Sequence, residues 1–211
     1  MTVSRPARPA SRTRRPRTAD DRRTEIVLRA SELFDDVGYH LTSMDDIARA
    51  VGLAKPTLYH YFPSKDSILL AIHEEFISIL LGRQRQRLER DDRDVSDLLL
   101  DVMVDICDLM RTHRGYVRVF FEHHRELPDA SRREALAARD AYFDSVRGLF
   151  ERGRTEGLVT GDPMLSSMAL FGMCNWAYQW YDPRGTLTSL DVARYFHRVL
   201  LHGVGATPSR P

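Results

Sequence analysis

Cysteine is scarce in this chain, and no apolar run is long. Only two cysteines, Cys107 and Cys174, occur among 211 residues. They are far apart, lie within apolar helical patterns and form no Cys-x-x-Cys arrangement, so they read as small core residues rather than a disulfide or zinc site. The longest apolar stretch, Ile68 to Leu81, is broken by His73, Glu74 and Glu75, well short of the roughly 20 apolar residues of a spanning helix. No membrane partner is expected. Arg5, Arg8, Arg12, Arg14, Arg15 and Arg17 stand near the start, but no apolar segment follows them. Neither an ordinary nor a twin-arginine export signal forms, and a cytoplasmic location is expected. No segment carries a convincing strand pattern, which leaves an all-α fold class.

What is present is an ordinary globular composition, 43% hydrophobic, enough for one substantial core or two small ones. The formal net charge is +1, and its distribution is uneven: residues 1–65 hold 12 Lys+Arg against 8 Asp+Glu, leaving 19 against 22 for residues 66–211. A basic front third is what phosphate contact requires, though a solvated basic tail has the same composition.

Residues 1–19 combine Pro6, Pro9 and Pro16 with six arginines and no hydrophobic period, the pattern of a disordered basic arm. From Asp20 to Val37, Ile26, Ala30, Leu33, Phe34 and Val37 follow helical spacing, and Gly38 supplies a stop. Ser43 with Asp46 makes a capping box before Met44, Ile47, Ala48 and Val51, with Gly52 as the next stop. Pro56 suits the first turn of a third helix, Leu58 and Phe62 form its buried pair, and Pro63 ends it. The remainder reads as helices: one from Ser64 to about Arg90, one carrying Leu98 to Leu109, then about 114–126, 129–156, 163–181 and 188–202.

The second and third helices around Gly52 make a helix-turn-helix, in which the second member enters the major groove. With Leu58 and Phe62 in the core, Lys55, Thr57, Tyr59, His60 and Tyr61 fall largely on other faces. Exposed polar aromatics of that density suit DNA: a Tyr hydroxyl reaches phosphate, a ring covers a thymine methyl, and Lys bonds guanine. The alternative is that Tyr59 and Tyr61 pack on neighbouring helices and His60 is merely exposed.

The segments Leu41-Thr42-Ser43-Met44-Asp45-Asp46-Ile47-Ala48 and Val51-Gly52-Leu53-Ala54-Lys55-Pro56-Thr57-Leu58-Tyr59-His60-Tyr61-Phe62-Pro63-Ser64-Lys65 resemble the signature of the TetR family. The resemblance implies about nine helices: a helix-turn-helix domain over 20–65 and a ligand-sensing and dimerisation domain over 66–211. It implies phosphate contacts from Thr42 and Ser43, a DNA-facing side formed by Lys55, Pro56, Thr57, Tyr59, His60 and Tyr61, and a phosphate contact from Lys65. Ala54 departs from the family's usual Ser or Thr, so the third helix lacks a side-chain cap. The resemblance also implies a homodimeric repressor of double-stranded DNA, reading a palindromic operator and dimerising through its last two long helices. There Val192, Tyr195, Phe196, Val199 and Leu200 form a wide apolar face that serves either a dimer or the monomer's core.

Met103, Met110, Phe120, Phe121, Tyr142, Phe143, Met168, Phe171 and Met173 are either core or the lining of a pocket for an apolar ligand. Trp176 and Trp180 stand four apart beside Asn175 and Gln179. Residues of about 114–182 resemble TetR-family regulators that answer acyl-CoA thioesters of fatty-acid or steroid-ring catabolism. That resemblance implies an acyl-CoA effector with Arg118, Arg125 or Arg147 facing its phosphates or carboxyl, and the residue reading puts Met103, Phe120, Phe121, Trp176 and Trp180 at the ligand. A regulator of efflux genes answering a drug-like compound is the alternative. A metal-dependent enzyme built on Glu122-His123-His124-Arg125-Glu126 is a rival of another class, but no H-E-x-x-H or E-x-x-H pattern is present. No cofactor and no catalytic residue is expected.

Overall fold

The computed structural model describes residues 18–89, 93–127 and 129–204. The arm read over residues 1–19 lies outside them except for Thr18 and Ala19, which belong to the first helix. Its cap is a reciprocal box: the Thr18 hydroxyl accepts from the Asp21 amide, and the Asp21 carboxylate accepts from the Thr18 amide. Helix α1 (Ala19–Asp36) buries Ile26, Val27, Ala30 and Phe34, and Gly38 turns the chain at φ 99°, a left-handed conformation open to glycine at little cost. The Ser43–Asp46 box then opens α2 (Met44–Ala50). Gly52 at φ 65° makes the turn into α3 (Lys55–Tyr61), which has Pro56 in its first turn and no side-chain cap at Ala54. Leu58 and Phe62 are buried beneath it, each contributing about 1.5–3 kcal/mol by leaving water.

Seven further elements complete the described fold. They are α4 (Lys65–Leu88), α5 (Val95–Thr112), α6 (Arg114–Glu122), α7 (Asp129–Thr155), α8 (Pro163–Trp176), a 3₁₀ turn (Ala177–Gln179) and α9 (Ser189–His202). Among the described residues there is no strand, and no helix is long and apolar enough to cross a membrane. Two boundaries differ from the sequence expectation. Helix α6 ends at Glu122 rather than near 126, so His123 and His124 follow the helix instead of lying on it. The segment read as one helix over 163–181 stops at Trp176 and tightens into the 3₁₀ turn, where the amides of Trp180 and Tyr181 both donate to the Ala177 carbonyl.

Helix α5 packs against α4, α6, α7, α8 and α9, and α6 lies along α1. Gly115 allows that approach, because a Cβ there would sit 2.7 Å from the Ser31 carbonyl oxygen. One cluster of buried apolar side chains runs from Ile26 in α1 to Ala193 in α9. Cys107 and Cys174 are free and buried in it.

Candidate DNA-reading face and ligand cavity

The α3 backbone is held from below by Leu58 and Phe62, which turns Lys55, Pro56, Thr57, Tyr59 and His60 outward, all exposed. Tyr61 is half-buried and packs on the core, with its ring edge-on to His60 at 5.9 Å. Lys55 Nζ reaches back to Asp45 of α2 at 2.9 Å, and this hydrogen bond and charge hold the ammonium above its ordinary pKa. The Ser43 hydroxyl is exposed but engaged with Asp46, whose carboxylate accepts from the Ser43 hydroxyl and amide and is held below the usual range by those hydrogen bonds.

Thr42 and Lys65 are engaged inside the protein. Thr42 is buried, and its hydroxyl donates to the Gly38 carbonyl at 2.8 Å. Lys65 Nζ donates to the carbonyls of Tyr39 and Thr42 at 2.7 and 2.9 Å and lies over the Tyr39 ring. The Tyr39 hydroxyl in turn donates to Asp66, and burial with this bond pushes its pKa up. Tyr39, Lys65 and Asp66 thus staple the start of α4 to the α1–α2 loop. Sequence reading missed Tyr39 and Asp66; an aromatic just after the Gly38 stop was the available signal.

A cavity of about 710 Å³ opens between α4, α5, α6, α7 and α8. Its walls are His73, Phe76, Ile77 and Leu80 from α4, Ile106 from α5, Phe120 and Phe121 from α6, Tyr142 and Phe143 from α7, and Met168, Phe171 and Asn175 from α8. Arg139, Arg147, Asp140 and Asp144 of α7 supply charge along one side. Arg139 pairs with Asp140 at 2.9 Å, while Arg147 stands 3.4 Å from both Asp144 and Glu151.

Of the residues expected at a ligand, Phe120, Phe121 and Arg147 line this cavity, and Met103, Trp176 and Trp180 do not. Met103 is fully buried in the core on α5. Trp176 and Trp180 lie on the outer surface, 65% and 50% exposed. The reason is angular: Asn175 faces the cavity, and one residue on, about 100° around the helix, points outward. Arg118 is committed elsewhere, to Asp35 of α1 at 2.7 Å and to Glu122 at 3.2 Å, and Arg125 is exposed and not among the cavity residues. His73 and Tyr142 were not singled out for polar roles, because a His beside two glutamates reads as part of a polar break in the stretch Ile68 to Leu81, and a Tyr among core aromatics looks like packing.

His123 and Glu126 contact each other, and Glu126 also meets His40 at 3.3 Å. Among the described residues no group of three or more His, Cys, Asp or Glu converges as metal ligands.

A model described as "Bacterial regulatory proteins, tetR family" matches residues 26–72, and one described as "Tetracyclin repressor-like, C-terminal domain" matches residues 92–204. The transcriptional activator FasR of Mycolicibacterium smegmatis is 33% identical over 151 residues, covering 69% of this chain and 67% of that protein. The transcriptional repressor KstR2 of Rhodococcus jostii is 28% identical over 202 residues, covering 90% of this chain and 98% of that one. The crystal structure of AibR with isovaleryl coenzyme A and operator DNA superposes with a TM-score of 0.75 at 28% identity, covering 85% of this chain and 98% of that one. With its outward α3, its apolar cavity and matches to both halves, the chain belongs to the TetR family of bacterial transcriptional regulators.

Proposed function

We propose that the chain is a ligand-responsive repressor that binds a palindromic operator as a homodimer and releases it when an acyl-CoA thioester enters the cavity. Residues 20–65 are the DNA-reading unit, and residues 66–211 sense and dimerise. Lys55, Pro56, Thr57, Tyr59 and His60 supply the groove-facing surface, with Tyr61 bracing them and the Ser43 hydroxyl at phosphate. Thr42 and Lys65 act by holding the loop that presents Ser43, since their polar atoms are engaged internally.

One observation carries the coupling. The cavity shares two walls, α4 and α6, with the helix-turn-helix: α4 begins at the Tyr39–Lys65–Asp66 staple, and α6 lies on α1 through Gly115 and the Arg118–Asp35 pair. A ligand that binds one arrangement of α4 and α6 better than another shifts the DNA-reading unit by that difference, about 1.4 kcal/mol for each tenfold change in affinity. The thioester class is favoured by an apolar interior with arginines along one side, and by likeness to the protein crystallised with isovaleryl coenzyme A.

The dimer rests on the outer face of α8. Leu165 and Trp176 are exposed there, and Trp180 and Tyr195 are exposed on the segments that follow, large apolar groups of the kind that mark a protein interface. A twofold pair presents two α3 helices to half-sites about 34 Å apart, or a multiple of that.

The test uses DNA from upstream of the protein's own gene in a gel shift, together with transcript levels in a deletion strain. Sequence-selective binding by two protomers and a rise of the neighbouring transcripts on deletion are expected. Binding that any competitor DNA abolishes equally, or a fall of those transcripts, overturns the repressor reading.

A further inference from the structure

Two uncharged side chains of the cavity wall, His73 and Tyr142, each keep a buried polar atom without a hydrogen-bond partner: Nε2 of the imidazole and the oxygen of the phenol. Both side chains are almost wholly buried, at 2% and 3% exposure. An unpaired buried polar group costs about 1–3 kcal/mol, and phenylalanine would pack in either place without that cost. Each belongs to its own aromatic cluster on the cavity wall. The His73 ring lies 5.1 Å from Phe120, which contacts Phe76 and Phe121. The Tyr142 ring lies 5.7 Å from Phe171, which stacks on Phe143. His73 also borders a second cavity of about 290 Å³ between α4 and α7, so its imidazole has space on two sides.

Both groups are neutral at neutral pH. Burial, with His124 and His123 adding to it, lowers the pKa of His73 to about 4, and burial pushes the Tyr142 phenol well up. A neutral imidazole and a phenol exchange hydrogen bonds with an uncharged oxygen, whereas a buried carboxylate needs a cation. The carboxylates and guanidinium groups of the cavity, Arg132, Arg139 and Arg147 with Asp140 and Asp144, all stand on α7.

We infer that His73 and Tyr142 form a polar recognition pair for the apolar body of the effector, selecting bodies that carry an uncharged hydroxyl or carbonyl oxygen over plain hydrocarbon. This rests on the cavity being the effector site. Both side chains line the cavity, so a turn of either ring on its aromatic neighbour is the movement that would bring its polar atom to the ligand. The anionic part of the effector stays with the arginines, and the inner pair reads oxygenation of the body.

Calorimetric titration of the full-length protein tests this with two matched pairs of probes, decanoyl-CoA against 10-hydroxydecanoyl-CoA and decanoate against 10-hydroxydecanoate. The wild type should favour the oxygenated member of a pair by about five- to tenfold, the worth of one added hydrogen bond. Tyr142→Phe or His73→Phe should erase the preference while leaving the plain member bound. The readout is a ratio within one protein, so a general loss of stability does not imitate it, and the wild-type ratio needs no variant. Equal affinity within both pairs in the wild type overturns the inference, as does a preference that survives both substitutions. Discrimination between the free acids with no binding of either CoA probe removes the thioester reading but keeps the polar pair. Tight binding of both CoA probes without discrimination does the reverse.

Discussion

Lys55 leaves the core at the first turn of an uncapped helix and is held by Asp45 in the absence of DNA. Binding exchanges that half-exposed pair for a groove contact, so Lys55→Ala should weaken operator binding by about tenfold, within the 1–3 kcal/mol of a base-reading contact, in fluorescence anisotropy. An unchanged affinity would remove Lys55 from the reading surface. His73 gives a second test, on stability. Its folded pKa of about 4 lies below the ordinary value of 6.5, so between those limits the unfolded chain binds the proton that the folded chain refuses. Stability is therefore lost as pH falls from about 6.5 toward 4, at up to about 1.4 kcal/mol per pH unit, and levels off below. In urea titrations from pH 7 to 4, His73→Phe should lose stability less steeply than the wild type; parallel curves would refute the assignment. Trp176 and Trp180 show the limit of reading single residues. Their indoles looked like pocket lining because a large apolar side chain signals burial, and a sequence does not state whether burial is by its own chain or by a second copy.

Helix α6 is the shortest α-helix described beyond the DNA-reading unit, yet it contributes Phe120 and Phe121 to the cavity and Gly115 and Arg118 to α1. Gly115→Ala forces a methyl to within 2.7 Å of the Ser31 carbonyl oxygen, so α6 and α1 must separate, at a cost of about 1–3 kcal/mol. A fall in Tm of about 2–4 °C for each of those kcal/mol is expected, and an unaltered melting curve would contradict the close approach. Arg118→Ala cuts the ion pair to Asp35 without touching the cavity. Effector affinity measured by calorimetry on the free protein should stay within about twofold, while the loss of operator affinity caused by effector shrinks; equal release in variant and wild type would take this pair out of the coupling. The helices themselves were legible in sequence, because the apolar periods, the Ser43 and Asp46 cap and the Gly38, Gly52 and Pro63 stops are local signals. The end of α6 and the break at Trp176 were not, since His123 and Trp180 carry no breaker and the chain turns there for tertiary reasons. The cavity was legible only as an excess of Met and aromatic residues, because which face of α7 or α8 borders empty space depends on all five helices together.

The continuous core from α1 to α9 lets one chain link two binding events. In the proposed dimer a second copy supplies the geometry. Replacing Trp176 and Trp180 together by glutamate puts charge on the exposed surface at the end of α8 and the turn after it and should give a folded monomer in sedimentation, with operator affinity lower by at least about a hundredfold because a single short helix reads only one half-site. A double variant that stays dimeric would move the interface elsewhere. The linkage itself is tested most directly by one equilibrium titration: fluorescence anisotropy of labelled operator DNA against wild-type protein, at fixed salt, with and without saturating isovaleryl coenzyme A or decanoyl-CoA. Weakening of operator binding by about tenfold or more, equivalent to about 1.4 kcal/mol of coupling, is the result expected, whereas superimposable curves with a thioester shown by calorimetry to be bound would contradict it.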